Sequence, residues 1–306
     1  MADGSVKQAL PKMTILLSYS KMPITNKPSP SFLRAIYEGR GKAVTLIELL
    51  IVLMIIGLLV TAAVKTWDVS LQRSRFNSTI KEMEQLSWAI AGNPDLVSGG
   101  KRSDFGYVGD IGLFPPTLKD LNENVSNFTT WHGPYIKPAF QESPQSYMMD
   151  AWGDTYIYPN PMMLSDTSPI YIRSYAGGSV VTPQNWLTKI IINRKSNILS
   201  NRVDGTISDA RGNPPDTSTS KLDSVTVWII YSRFGRAEST PGSASVFNNG
   251  FDGIPAGNHR LRAIGSYQPD TGGARVYEVL ERYVCVYPRI GATENIRFSA
   301  LKFGEK

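Results

Sequence analysis

Hydrophobic and polar positions fall into three regimes along this chain. Residues 44–64 are almost continuously apolar, and Glu48 is the one charged side chain among them. Such a run predicts a helix about 31 Å long at about 1.5 Å per residue, matching a hydrocarbon core of about 30 Å. After Lys65, apolar Phe76, Ile80, Met83, Leu86, Trp88 and Ile90 recur every three to four residues. Arg73, Arg75, Lys81, Glu82 and Glu84 occupy other faces. This spacing predicts an amphipathic continuation of the same helix, stopped by Gly92-Asn93-Pro94. Beyond it the period shortens and Gly/Pro turns multiply. Asp150-Ala151-Trp152-Gly153-Asp154 reads as a turn feeding a short strand through Tyr156 and Tyr158. Residues 170–175 read as a second strand, and 182–195 as a short strand or connector. Further strands are expected in 203–208, 224–231, 260–264, 276–286 and 294–298.

Charge changes the picture less than the net value of +6 suggests. Residues 1–43 hold seven basic and two acidic side chains, leaving 25 basic and 24 acidic in the remainder. The excess is therefore a positive-inside topogenic signal. No aromatic-plus-basic patch suited to nucleic acid stands out, so nucleic acid is not expected as a partner. The proline-punctuated leader shows no sustained amphipathic period and is set aside from the fold. The one cysteine, Cys285, excludes an internal disulfide and a cysteine zinc cluster. Its place in the alternating run 283–287 predicts a buried thiol.

The junction Arg40-Gly41-Lys42-Ala43-Val44-Thr45-Leu46-Ile47-Glu48 and the apolar run behind it resemble the N-terminus of type IV pilins and type II secretion pseudopilins. The resemblance covers about 25 residues. It implies prepilin peptidase cleavage between Ala43 and Val44, N-methylation of Val44, and a role for Glu48 in filament assembly. The family usually carries Gly before the cut, where this chain has Ala43. Charge logic runs parallel: a free ammonium at Val44 of one copy and Glu48 of the next are complementary in low dielectric. Stranding one ion of such a pair costs about 3–5 kcal/mol. The plainer reading of Glu48 is a side chain snorkelling to water near the membrane surface.

Residues 105–110, 113–121, 133–136 and 150–158, in that order, resemble the head of the major pseudopilin of type II secretion. The turns at 204–215 and 252–259 with their flanking strands resemble a carboxypeptidase-regulatory-like, transthyretin-type β-sandwich. Regularly spaced strands with Gly/Pro turns argue independently for a sandwich. The expected fold is α+β, in four parts: a cytoplasmic leader (1–43, removed), a transmembrane and amphipathic helix (44–91), a small β-rich pilin head (92–195) and a C-terminal β-sandwich (196–306).

Chemistry is thinly supplied. The two histidines, His132 and His259, read as a loop residue and a turn residue hydrogen-bonded to backbone. No Gly-x-Ser-x-Gly elbow, His-Glu-x-x-His pair or phosphate loop occurs, so no enzyme is expected. Calcium needs six or more oxygen ligands. Asp150, Asp154 and Asp166 are the nearest supply to the loop 174–179, where the family head binds calcium, and they read as turn caps, so no metal or other cofactor is assigned. Trp131, Trp152, Trp186 and Trp228 read as core fillers in preference to a glycan-stacking surface. The expected function is a subunit of a type IV pilus-like filament, single-pass in the inner membrane through 44–64 before assembly. Its expected partners are the prepilin peptidase, like or related pilin subunits and an inner-membrane assembly platform. A minor tip pilin and an adhesive protein on an uncleaved signal anchor stay open as alternatives.

Overall fold

The structure is a computed structural model describing residues 45–137, 143, 145–178, 183–216, 223–243, 250–269 and 273–303. It is α+β: one long N-terminal helix and a β-rich C-terminal region. The chain divides into two units, Met1–Val64 and Lys65–Lys306.

Helix α1 (Leu46–Ala91) ends where expected. Gly92 takes φ +79, a left-handed value that favours glycine. Its N–H still donates to Trp88 O at 2.7 Å, and a Cβ there would collide with the Asp104 and Phe105 backbone. The buried face of α1 is Thr79, Met83, Leu86, Ala89 and Ile90, close to a single stripe at helical spacing. Phe76 and Ile80, expected on that stripe, are instead 43% and 42% exposed. Burial of α1 begins at Thr79, whose Oγ1 accepts from Ala151 N at 3.2 Å, although the Trp152 indole reaches Gln72 Oε1 at 3.0 Å.

Strands β1 (Val97–Ser98) and β2 (Lys101–Arg102) pair antiparallel after α1. The first core gathers Met83, Leu86 and Ile90 of α1 with Tyr107, Val108 and Ile111 of helix α2 (Gly106–Ile111), Phe114, Leu121, and Ile170 and Ile172 of strand β3 (Ile170–Ser174). Strand β3 buries alternate residues and pairs antiparallel with β4 (Leu187–Ile192). The latter settles 182–195 as containing a strand. Residues 155–158 form two isolated bridges, Met149↔Thr155 and Ile157↔Arg173, in place of the expected strand. A short 3-10 turn, Leu118–Leu121, is pinned by the Asp120 carboxylate, which accepts from Thr117 N and Oγ1 at 3.0 and 2.7 Å.

The second core lies against one face of an antiparallel four-stranded sheet. Its strands are β7 (Ser224–Arg233), β8 (Arg236–Ser243), β10 (Gly257–Tyr267) and β11 (Val276–Val286), in the order β11-β10-β7-β8. Val225, Val227, Ile229 and Tyr231 point inward at a period of two. They join Val203 of β5 (Asn201–Asp204), Ile207 of β6 (Ile207–Ser208), Phe251 and Ile254 of β9 (Phe251–Ile254), and Phe298 and Phe303 near the end of the described chain. Strand β8 has no apolar alternation and forms through its turn. Phe234 and Gly235 both take positive φ, 50° and 70°, and close a two-residue hairpin with Arg233 opposite Arg236. His259, expected in a turn, sits inside β10, because that strand begins three residues earlier than the alternating run suggested. Cys285 is buried and unpaired.

Candidate functional site

The feature with the largest unmet physical demand is the first part of α1. Every residue from 45 to 64 is exposed, including Leu46 at 82% and Met54 at 69%. The most apolar 18-residue stretch of the helix has a mean hydropathy of 2.8 and no buried residue. At about 25 cal/mol per Å², apolar surface of this extent demands a cover of lipid or of other helices. The helix is long and apolar enough to cross a membrane. Its one hydroxyl in mid-run is satisfied internally: Thr61 Oγ1 donates to Gly57 O at 2.8 Å, as an apolar surrounding requires. The helix passes through Gly57 without interruption.

Glu48 lies in the first turn, where the helix macrodipole favours a carboxylate. Its own N–H donates to Thr45 Oγ1 at 3.3 Å, so Thr45 acts as the N-cap and satisfies one orphan donor. The Leu49 N–H donates to Thr45 O at 3.1 Å. Thr45 was missed as a functional residue at the sequence level, although Thr45-x-x-Glu48 has the spacing of a capping box. Ala43 and Val44, the expected cleavage and methylation positions, lie outside the described residues.

The remaining candidates resolve into fold contacts. The His132 ring, largely exposed, has Nδ1 3.5 Å from Asp110 Oδ2, and Tyr135 Oη donates to the same oxygen at 2.8 Å. Burial pushes the Asp110 carboxyl up, against the opposing pull of Tyr135 and His132. The buried His259 ring has Nε2 2.7 Å from Pro255 O, the backbone bond expected for it, and burial lowers its pKa. Asp150 organises its own turn. Its Oδ1 accepts from Trp152 N and Asp154 N, both at 2.9 Å, and its Oδ2 accepts from Ser174 Oγ at 2.5 Å. Asp166 pairs with Lys195 at 3.3 Å. Among the described residues no three His, Cys, Asp or Glu side chains form a group that could hold a metal ion.

Two further groups fall outside these candidates. A groove of about 410 Å³ is lined by Glu84, Trp88, Arg102, Lys189 and Ile191, and the Glu84–Lys189 ion pair, 3.3 Å apart, sits on it. Trp131, Trp152, Trp186 and Trp228 are all half-buried. Trp186 meets the Tyr175 ring at a tilt of 56° with centroids 5.4 Å apart and lies under the Arg173 guanidinium at 4.7 Å. No family model, no curated protein and no solved structure matches the chain.

Proposed function

We propose that this chain is a subunit of a type IV pilus-like filament of the type II secretion pseudopilus kind. In this reading a prepilin peptidase cuts between Ala43 and Val44, Val44 is N-methylated, and an inner-membrane assembly platform moves the chain from the bilayer into the filament. One observation carries it: an exposed apolar helix segment, residues 46–64, bearing a single carboxylate in its first turn. Such a surface exchanges lipid for neighbouring helices of like polarity. Glu48 offsets its burial by pairing with the ammonium at Val44 of an adjacent copy. The head reading draws on the packing of α1 against α2 and β3. The sandwich reading draws on the second core, which unites the four-stranded sheet with β5 and β9. The β-rich region faces the periplasm or the exterior, and no catalytic role is assigned.

The test is Glu48→Ala in the native host. Processing is expected to continue while recovery of the subunit in sheared filaments falls at least tenfold. Wild-type filament recovery from the variant, or a mature chain whose mass begins upstream of Val44, would overturn the proposal.

A second reading, a binding protein held by an uncleaved signal anchor, is favoured by one specific observation. The place of Glu48 in the first turn of α1 lets the helix dipole favour its carboxylate with no second copy. Intact mass separates the two, since this reading keeps the leader.

A further inference from the structure

Strand β11 forms one edge of the four-stranded sheet. It runs for eleven residues without Pro, Gly or Lys and pairs with β10 in unbroken register. Among the described residues no hydrogen bond reaches the backbone on its outward side. Exposed edges of this length are ordinarily blunted by proline, lysine or a bulge. The opposite edge, β8, does carry Pro241, whereas β11 carries none of these devices.

The sequence of β11 is self-complementary about Leu280. In an antiparallel pair, directly opposed residues share a face. Laid against a second copy of itself with Leu280 opposite Leu280, β11 sets Tyr277 against Tyr283, Glu278 against Arg282, Val279 against Glu281 and Val276 against Val284. Each pairing occurs twice by symmetry. Shifting the centre to Val279 sets Val276 against Arg282 and loses both charge pairs. Shifting it to Glu281 sets Glu281 against itself, a like-charge contact. A two-fold antiparallel arrangement admits only these even steps, because an odd one would oppose residues from different faces.

The side chains are placed for this register. Tyr277, Val279 and Tyr283 are 66%, 50% and 78% exposed and share the face turned away from the second core. On the other face, in-chain partners hold both charged groups in position. Glu278 accepts from Ser299 N at 3.0 Å and Ala300 N at 2.7 Å. Arg282 Nη1 donates to Glu294 Oε1 at 3.3 Å and Asn295 O at 3.2 Å.

We infer that β11 is a homotypic docking edge: two copies pair antiparallel about Leu280 and continue the four-stranded sheet across a two-fold axis. Backbone hydrogen bonds supply the adhesion, and the Glu278–Arg282 and Tyr277–Tyr283 pairs select the register. The inference is independent of filament assembly, and its test uses detergent-solubilised full chain.

The test reads register directly. In a Cys285→Ala background, full chains carrying Tyr277→Cys and Tyr283→Cys are oxidised separately and as a mixture. The paired register brings the two different positions face to face, while identical positions lie about 20 Å apart, too far for a disulfide. A cross-linked dimer is expected in the mixture and in neither variant alone. No cross-link in the mixture, or equal cross-linking in the separate variants, would overturn the inference. The latter result would mean association through the apolar helix or another face. Val279→Glu and Val279→Lys serve as a second measurement, because both change an exposed side chain opposite Glu281 of the second copy. The first should weaken and the second strengthen mixed cross-linking, each about fivefold. Equal effects of the two would also count against the pairing.

Discussion

Arg102 caps α1 from outside the helix: its Nη2 donates to the Ala91 carbonyl at 2.6 Å and to Gly92 O at 3.0 Å. The last turn of α1 has no basic residue of its own, so Arg102 supplies the positive charge that the C-terminal end of the dipole favours. The guanidinium also donates from Nε to Asp104 O at 2.7 Å and lies 4.6 Å from the centre of the Phe105 ring. Burial lowers its pKa, opposed by Asp104.

Arg102→Ala strands the Ala91 and Gly92 carbonyls and empties a half-buried site. It should destabilise the region after Val64 by about 2 kcal/mol, seen as a lower urea midpoint with unchanged slope. Arg102→Lys keeps the charge without the planar fork and should recover less than half of the loss.

Asp209 ties the far end of the chain to the second core. Fully buried, it accepts from Arg211 N at 2.9 Å, Asn213 N at 2.8 Å and Phe303 N at 3.1 Å. Asp209→Ala leaves these donors unmet and should cost about 3 kcal/mol. Hydrogen exchange should speed up at Phe303 and through 209–213, and much less at β3.

Acid should unfold the β-rich region in two stages. Burial lowers the pKa of His259 from its ordinary 6.5, so the folded state holds the ring neutral while the unfolded state takes up a proton. That contribution is complete above pH 6.5 and declines as pH falls below it. Burial works to raise Asp209 and Glu278, but the N–H groups facing them hold both below their ordinary 3.8 and 4.5. Their stabilisation is complete above those values and is lost as pH falls through the lower folded-state pKa. Urea midpoints between pH 7.5 and 3 should fall first below about 6.5 and again below about 4.5. His259→Phe should remove the first step alone.

Gly235 holds φ +70 at the tip of the β7–β8 hairpin, and a Cβ there would run into the Phe128 ring. Gly235→Ala should cost about 1–3 kcal/mol and raise amide exchange at Thr129, whose N–H donates to Gly235 O at 2.9 Å.

What the sequence disclosed follows from what periodicity records. The start and stop of α1, the inward face of β7 and the span of β11 each repeat a burial pattern over many residues, and all were readable. Strand β8 was not, because its residues contribute little apolar surface and its existence depends on a neighbour and a two-residue turn. The exposure of Phe76 and Ile80 depends on which part of α1 the rest of the chain buries, which no local period encodes. At the candidate site Glu48 was legible as a lone charge in an apolar run. The Thr45 cap was not, because a hydroxyl three residues before Glu48 carries no periodic signal and is told from any other threonine only by the bond it accepts. Asp150 and Asp209 differ from surface acids only through donors that tertiary folding brings to them.

The β7–β8 tip reaches the first core: the Gly235 N–H donates to Ile111 O at 2.9 Å. The same core is filled in part by Ile198, Ala256 and Cys285, all from the later half of the sequence. A chain shortened after residue 195 would therefore keep a hollow where those three side chains belong. Filling of the first core therefore draws on both parts of the chain, and a loosening in the later one should be felt in the earlier.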